Sequence, residues 1–161
     1  METQFGFIRK GIFALMFLSM ILFGACQEDA LPQGELNCSV EAVDGPEDDV
    51  VGKWKMIWER PGFSLDTIDY SCNSIIYHFK PDGILEVFSD VEEAGHSEGE
   101  YNYKLIWDPY NSGANTMRGI KIGEYSRWAI LIGTTKMTMD ITPLDGPMRQ
   151  FIRIEKSLTQ N

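Results

Sequence analysis

Between residues 50 and 155 apolar and polar side chains alternate with a period of two, and the alternating segments are separated by short turn-forming clusters. Alternation places successive side chains on opposite faces of an extended chain, so each segment reads as a strand with one face for a core. Residues 53–59 gather Trp54, Met56 and Trp58 on one face, against Lys53, Lys55 and Glu59 on the other. Residues 74–80 set Ile75, Tyr77 and Phe79 against Ile76, His78 and Lys80. Residues 84–88 return after Pro81-Asp82-Gly83, a hairpin turn in which proline presets φ and glycine takes the left-handed position. Residues 101–107 place Tyr101, Tyr103, Leu105 and Trp107 opposite Asn102 and Lys104, and a turn follows over residues 108–113. Residues 116–122 are the least regular. Residues 124–132 align Trp128, Ile130 and Ile132, and residues 136–141 align Met137, Met139 and Ile141. After Asp145-Gly146-Pro147, residues 148–155 carry Phe151 opposite Ile152 and Ile154. No helical period of ten residues interrupts the series. About eight strands at this spacing, joined by hairpin-type turns, predict an all-β fold, an antiparallel up-and-down barrel whose closure removes exposed sheet edges.

Ahead of the strands, Arg9 and Lys10 precede an apolar run over residues 12–23, broken only by Ser19, and Gly24-Ala25 lead into Cys26. The run is short for a permanent membrane-spanning helix, which needs about 20 apolar residues, and reads as an export signal. Its end resembles a bacterial lipobox. That resemblance implies cleavage before Cys26 and attachment of diacylglycerol, with palmitate-type acyl chains, to the new N-terminal cysteine; an ordinary secretory peptide cut near Ala25 is the alternative. Gln27-Glu28-Asp29 resembles the surface-export signal of lipoproteins in the Bacteroidota, which implies an outer-membrane protein exposed at the cell surface, with a periplasm-facing orientation as the alternative.

Residues 27–50 contain eight acids and no lysine or arginine, with Pro32, Gly34, Gly45 and Pro46 and no hydrophobic period. They are expected to form an extended, solvated tether. The acids Asp44, Glu47, Asp48 and Asp49 match no EF-hand spacing and read as solvated rather than as a Ca²⁺ site. The expected organisation is therefore a signal peptide over residues 1–25, a lipidated acidic tether over 26–50 and one barrel domain over 51–161. No basic stripe is present for nucleic acid. With Cys26 taken by lipid, Cys38 and Cys72 remain as an even pair in an oxidising compartment and are expected to form a disulfide, with free buried thiols as the alternative.

A family resemblance rests on Val51-Gly52-Lys53-Trp54 at the head of the first strand. This looks like the Gly-x-Trp signature of lipocalins. Together with the lipobox, the acidic tether, the turn at residues 79–83 and the closing Phe151-Ile152-Arg153, the chain is similar to lipocalin-like (calycin-type) lipoproteins of the Bacteroidota over about residues 50–156. The resemblance implies that Gly52 and Trp54 form the base of the barrel, with Trp54 packed by Arg153, or alternatively Arg149, in a cation–π contact. Two features depart from the family pattern. Asp69-Tyr70 lies in the early loop, and no room follows the last strand for a helix.

Eight strands enclose a space that side chains can fill or that can hold one small ligand. Trp58, Tyr101, Tyr103, Trp107, Trp128, Met137 and Met139 are the candidate ligand-binding residues, on the expectation that all face inward. His96 lies in a loop with Glu92, Glu93 and Glu98 and reads as part of a solvated tip, since one further histidine in the chain makes a poor zinc set. No nucleophile–base set shares a local motif, so the chain reads as a non-enzyme without cofactor or metal. Two functions stay open. One is an aromatic-lined barrel holding a small apolar or amphipathic molecule. The other is a filled barrel that contacts another envelope protein through its outer face, where Ile57, Ile76 and Ile106 would form an apolar patch.

Overall fold

A computed structural model describes residues 36–110 and 117–155. The expected signal peptide, Cys26, the Gln27-Glu28-Asp29 segment, Thr116 and part of the turn over residues 108–113 lie outside the described residues. The strands are β1 (Gly52–Arg60), β2 (Ile68–Asp69), β3 (Ile75–Phe79), β4 (Ile84–Ser89), β5 (Gly99–Trp107), β6 (Arg118–Ile122), β7 (Ser126–Ile132), β8 (Lys136–Asp140) and β9 (Met148–Glu155). All neighbours pair antiparallel in the order β2-β1-β3-β4-β5-β6-β7-β8-β9, and β1 also pairs with β9. That last pairing closes an eight-stranded barrel, with β2 as a short extra strand beside the end of β1. The architecture is consistent with a lipocalin-like fold. Among the described residues the one helical element is a 3₁₀ turn, Thr142–Leu144.

The period-two pattern accounts for the interior. Met56, Ile75, Tyr77, Phe79, Leu85, Ile120, Ile122, Met137, Met139 and Phe151 are all buried in one cluster around Trp54. Met137 and Met139 expose nothing to solvent or to any space that a water molecule could enter. The interior around Trp54 is thus filled by side chains.

Two departures from the expected pattern shape the ends. The first is a β-bulge in β1: Met56 pairs with Phe151 and Trp58 with Gln150, leaving Ile57 as the extra residue. A bulge reverses the alternation beyond it. Trp58 consequently faces outward, donating its indole N–H to Gln150 Oε1 at 2.8 Å, while Glu59 turns inward. The expected inward placement of Trp58 does not hold, for that reason. Trp107 does not reach the core either. It keeps the inward side of β5 but pairs with Arg118 past the base rim of the barrel, where it is 66% exposed.

The second departure concerns residues 36–50, expected to be solvated. They are held against the barrel as a strap. Cys38 is joined to Cys72, so the expected disulfide is present, and the Cys38 N–H donates to Ser71 Oγ at 2.9 Å. Farther on, the amides of Val43, Gly45 and Asp48 donate to the carbonyls of Arg153, Thr134 and Ile132. The segment has no hydrophobic period of its own. It is fixed by backbone hydrogen bonds and one cross-link, which composition does not announce. Ile57 and Ile152 are also buried, although neither belongs to the core cluster. The expected exposed Ile57–Ile76–Ile106 patch is therefore absent: Ile57 is buried, and Ile76 and Ile106 are half-buried.

At the base, Trp54 donates its indole N–H to the Val50 carbonyl at 2.7 Å. The Arg153 guanidinium lies 4.1 Å over the Trp54 ring and donates to the carbonyls of Pro46, Asp49, Val51 and Thr134. Gly45 is required here, because a Cβ would stand 2.7 Å from Arg153. Gly52, with φ at +122°, opens the strand on which Trp54 sits. The base is sealed.

Candidate functional site at the barrel mouth

At the opposite end the interior stops being apolar. Glu59, carried inward by the bulge, pairs in register with Arg149 of β9, and Arg149 Nε donates to Glu59 Oε2 at 2.5 Å. Both side chains are largely buried. Taking two such charges out of water costs several kcal/mol per ion before their attraction offsets it, so a pair in this position is not explained by stability alone. The Arg149 guanidinium also lies 4.5 Å over the ring of Trp128.

Across the mouth runs the β4–β5 connection, residues 90–98, which forms a lid. Ala94 is buried in the core cluster and His96 points down into the barrel. The solvated tip expected for His96 is thus corrected. The imidazole is a flat, weakly polar ring that fits among the aromatic rings of Tyr77, Tyr101 and Trp128, with centroid separations of 5.7, 5.8 and 5.8 Å. Its polar atoms are all satisfied. The His96 amide donates to Tyr77 Oη at 2.7 Å, Tyr77 Oη lies 2.9 Å from Nδ1, and Nε2 lies 3.1 Å from Ser126 Oγ. Gly95, with φ at +74°, allows this approach, since a Cβ there would meet Tyr77 Oη at 2.7 Å.

The donors assign the tautomer. Arg149 can only donate, and its Nη1 lies 3.4 Å from His96 Nδ1, so Nδ1 is the acceptor and Nε2 carries the proton. Neutral imidazole is also the form that burial and the neighbouring Arg149 charge favour, and together they push the His96 pKa down to about 4. Burial pushes the Tyr77 hydroxyl up to about 12, keeping it a donor at any physiological pH. Ser126 Oγ accepts from Trp128 Nε1 at 2.6 Å as well as from His96. A histidine that donates to a serine does not act as its general base, so the arrangement holds groups in place rather than activating a nucleophile.

The candidate residues thus divide. Trp128 forms the wall of the mouth beside Arg149. Tyr101 and Tyr103 line the inward side of β5, half-buried, with Tyr101 against His96 and Tyr103 donating to the Lys80 carbonyl at 2.7 Å nearer the base. Met137 lies in the packed core below, beside Phe151, Met139 is fully buried in register with Arg149, and Trp58 and Trp107 lie outside the core. Among the described residues no three His, Cys, Asp or Glu side chains converge to hold a metal ion. Glu59, Tyr77, His96, Ser126 and Arg149 were not legible as site residues. The bulge hides Glu59, and the others are separated by up to 72 positions from one another in the chain, counting from Tyr77 to Arg149.

A crevice of about 490 Å³ runs along the lid, lined by residues 89–98. Around this same end, the loop after β1 and the turns β6–β7 and β8–β9 present Phe63, Leu65, Tyr125 and Leu144 to solvent, Leu65 at 94% exposure. The mouth therefore combines a buried fork of N–H donors, an aromatic wall and a lid of few backbone bonds, with apolar side chains nearby. No protein-family model, curated protein or solved structure matches this chain.

Proposed function

We propose that the chain is a lipid-anchored envelope protein whose barrel binds one small amphipathic ligand at its mouth, beneath the lid of residues 90–98. Anchoring rests on Cys26 behind the export signal, with attachment to the outer membrane and exposure at the cell surface. The Cys38–Cys72 disulfide supports an oxidising compartment. One observation carries the placement of the ligand: the interior around Trp54, Met56, Met137 and Phe151 is packed with apolar side chains, whereas at the mouth the rings of Tyr77, Tyr101 and Trp128 surround a buried guanidinium, that of Arg149, capped by a loop. Ligand sites are apolar concavities with a few placed polar groups, and the mouth supplies both.

A second reading is favoured by the exposed Phe63, Leu65, Tyr125 and Leu144, which would suit a protein partner docking over the same end. Native mass spectrometry of the mature protein purified from its own host separates the two. The ligand reading predicts a reproducible added mass that is lost on unfolding. A clean ligand-free mass, with nothing taken up from host envelope extracts, would favour the partner.

A further inference from the structure

The lid does more than cover the mouth. Arg149 presents three edges. Nε is taken by Glu59 of β1, but Nη2 donates to the Gly95 carbonyl at 3.2 Å and Nη1 approaches His96 Nδ1 at 3.4 Å, and both of those acceptors belong to the lid. Two acceptors on the outer fork of a guanidinium reproduce what the two oxygens of a carboxylate or sulfonate offer. Moving the lid aside would strip both and leave a desolvated fork facing the opening. An anionic head is the group that could satisfy it.

The surroundings complete the fit. Ser126 Oγ and Tyr77 Oη, which now bond His96, would be released as further hydrogen-bonding groups. The rings of Trp128 and Tyr101 would be uncovered where His96 packs, giving an apolar body a wall to lie on. Organic cations meet none of these donors. We infer that the lid is a built-in surrogate ligand, and that the mouth takes an amphipathic oxyanion whose head group replaces Gly95 and His96 on the fork of Arg149. This rests on the ligand reading above and names the ligand's class. Glu59 limits the affinity, since its carboxylate competes for the same guanidinium and repels the incoming charge.

The test titrates the mature chain at pH 7.5 with the fluorescent probe 1-anilinonaphthalene-8-sulfonate, then displaces it with decanoate or with decyltrimethylammonium, which share an apolar tail and differ in head charge. The inference predicts saturable probe binding and displacement by decanoate at a concentration at least tenfold below that of the cation. Arg149→Met should weaken the probe at least tenfold, and Arg149→Lys should recover only part of that, because an ammonium lacks the fork. Glu59→Gln should strengthen the probe severalfold, a gain that misfolding would not mimic if decanoate remains the preferred competitor. Equal displacement by both amphiphiles, with Arg149→Met and Glu59→Gln unchanged, would overturn the oxyanion assignment and leave a mouth site for apolar molecules. Failure of either amphiphile or the probe to bind the wild-type protein would overturn the ligand reading itself, and this inference with it.

Discussion

Acidification should open the lid, and the size of the effect follows from His96. In the closed lid the imidazole is held neutral with a pKa of about 4; freed into water it returns to its ordinary 6.5. A base whose pKa is depressed in the closed state contributes stability that is complete above 6.5 and is lost as pH falls toward 4. Moving from pH 7.5 to pH 5 therefore removes about 2 kcal/mol from lid closure, a roughly 30-fold rise in the opening constant. The groups facing the ring are Tyr77 of β3, Tyr101 of β5, Ser126 and Trp128 of β7, and the Glu59–Arg149 pair joining β1 and β9. Tyr77, with its pKa pushed up to about 12, is silent in this window. Hydrogen exchange over residues 89–98, expressed as protection relative to the free peptide at each pH, reads the opening directly. Protection should fall about 30-fold between pH 7.5 and pH 5 in the wild type and stay nearly flat in His96→Gln. A parallel fall in both proteins would refute the assignment of the latch to His96.

Three further outcomes follow from the ends of the barrel and from its core. Arg153→Met removes the cover over Trp54 and leaves four strap and turn carbonyls without their donor, and should cost about 3 kcal/mol or more, seen as a drop of about 10 °C in thermal midpoint. Reduction of Cys38–Cys72, or the paired change to serine, reopens a loop with a separation of 34 residues and should cost about 4 kcal/mol in chemical denaturation. Met137→Ala should destabilise by about 2–5 kcal/mol as a core deletion, while probe affinity at the mouth stays within about twofold.

What could be read from the residues and what could not divides along a physical line. Strand segments were legible because side-chain burial has a period, and Ile75, Tyr77, Phe79, Leu85, Ile120, Ile122 and Phe151 obey it. The turn at Gly83 was legible because its φ of +87° is a conformation that glycine adopts without strain. The bulge at Ile57 was not: an inserted residue is a property of backbone pairing with β9, and Trp58 and Glu59 exchange faces without any change in composition. Trp107 obeys the alternation yet overshoots the rim, because strand stagger, not periodicity, decides where a barrel ends. Residues 36–50 read as solvated since their own apolar surface is small, and their docking depends on carbonyls contributed by β7, β9 and the turn before β8. His96 sits among acids in sequence but among aromatic rings in space. A lid is recognisable only once the barrel that it closes exists.

The most direct test of the central claim, that ligand is held at the mouth and not within the barrel, is an NMR titration of the mature protein with methionine methyls and the His96 and Trp128 rings labelled, using decanoate as the ligand. The account predicts large shifts at His96 and Trp128, with the methyls of Met56 and Met137, which flank Phe151 below Arg149, scarcely moved. Shifts concentrated on those two methyls would place the ligand in the depth of the barrel and contradict it.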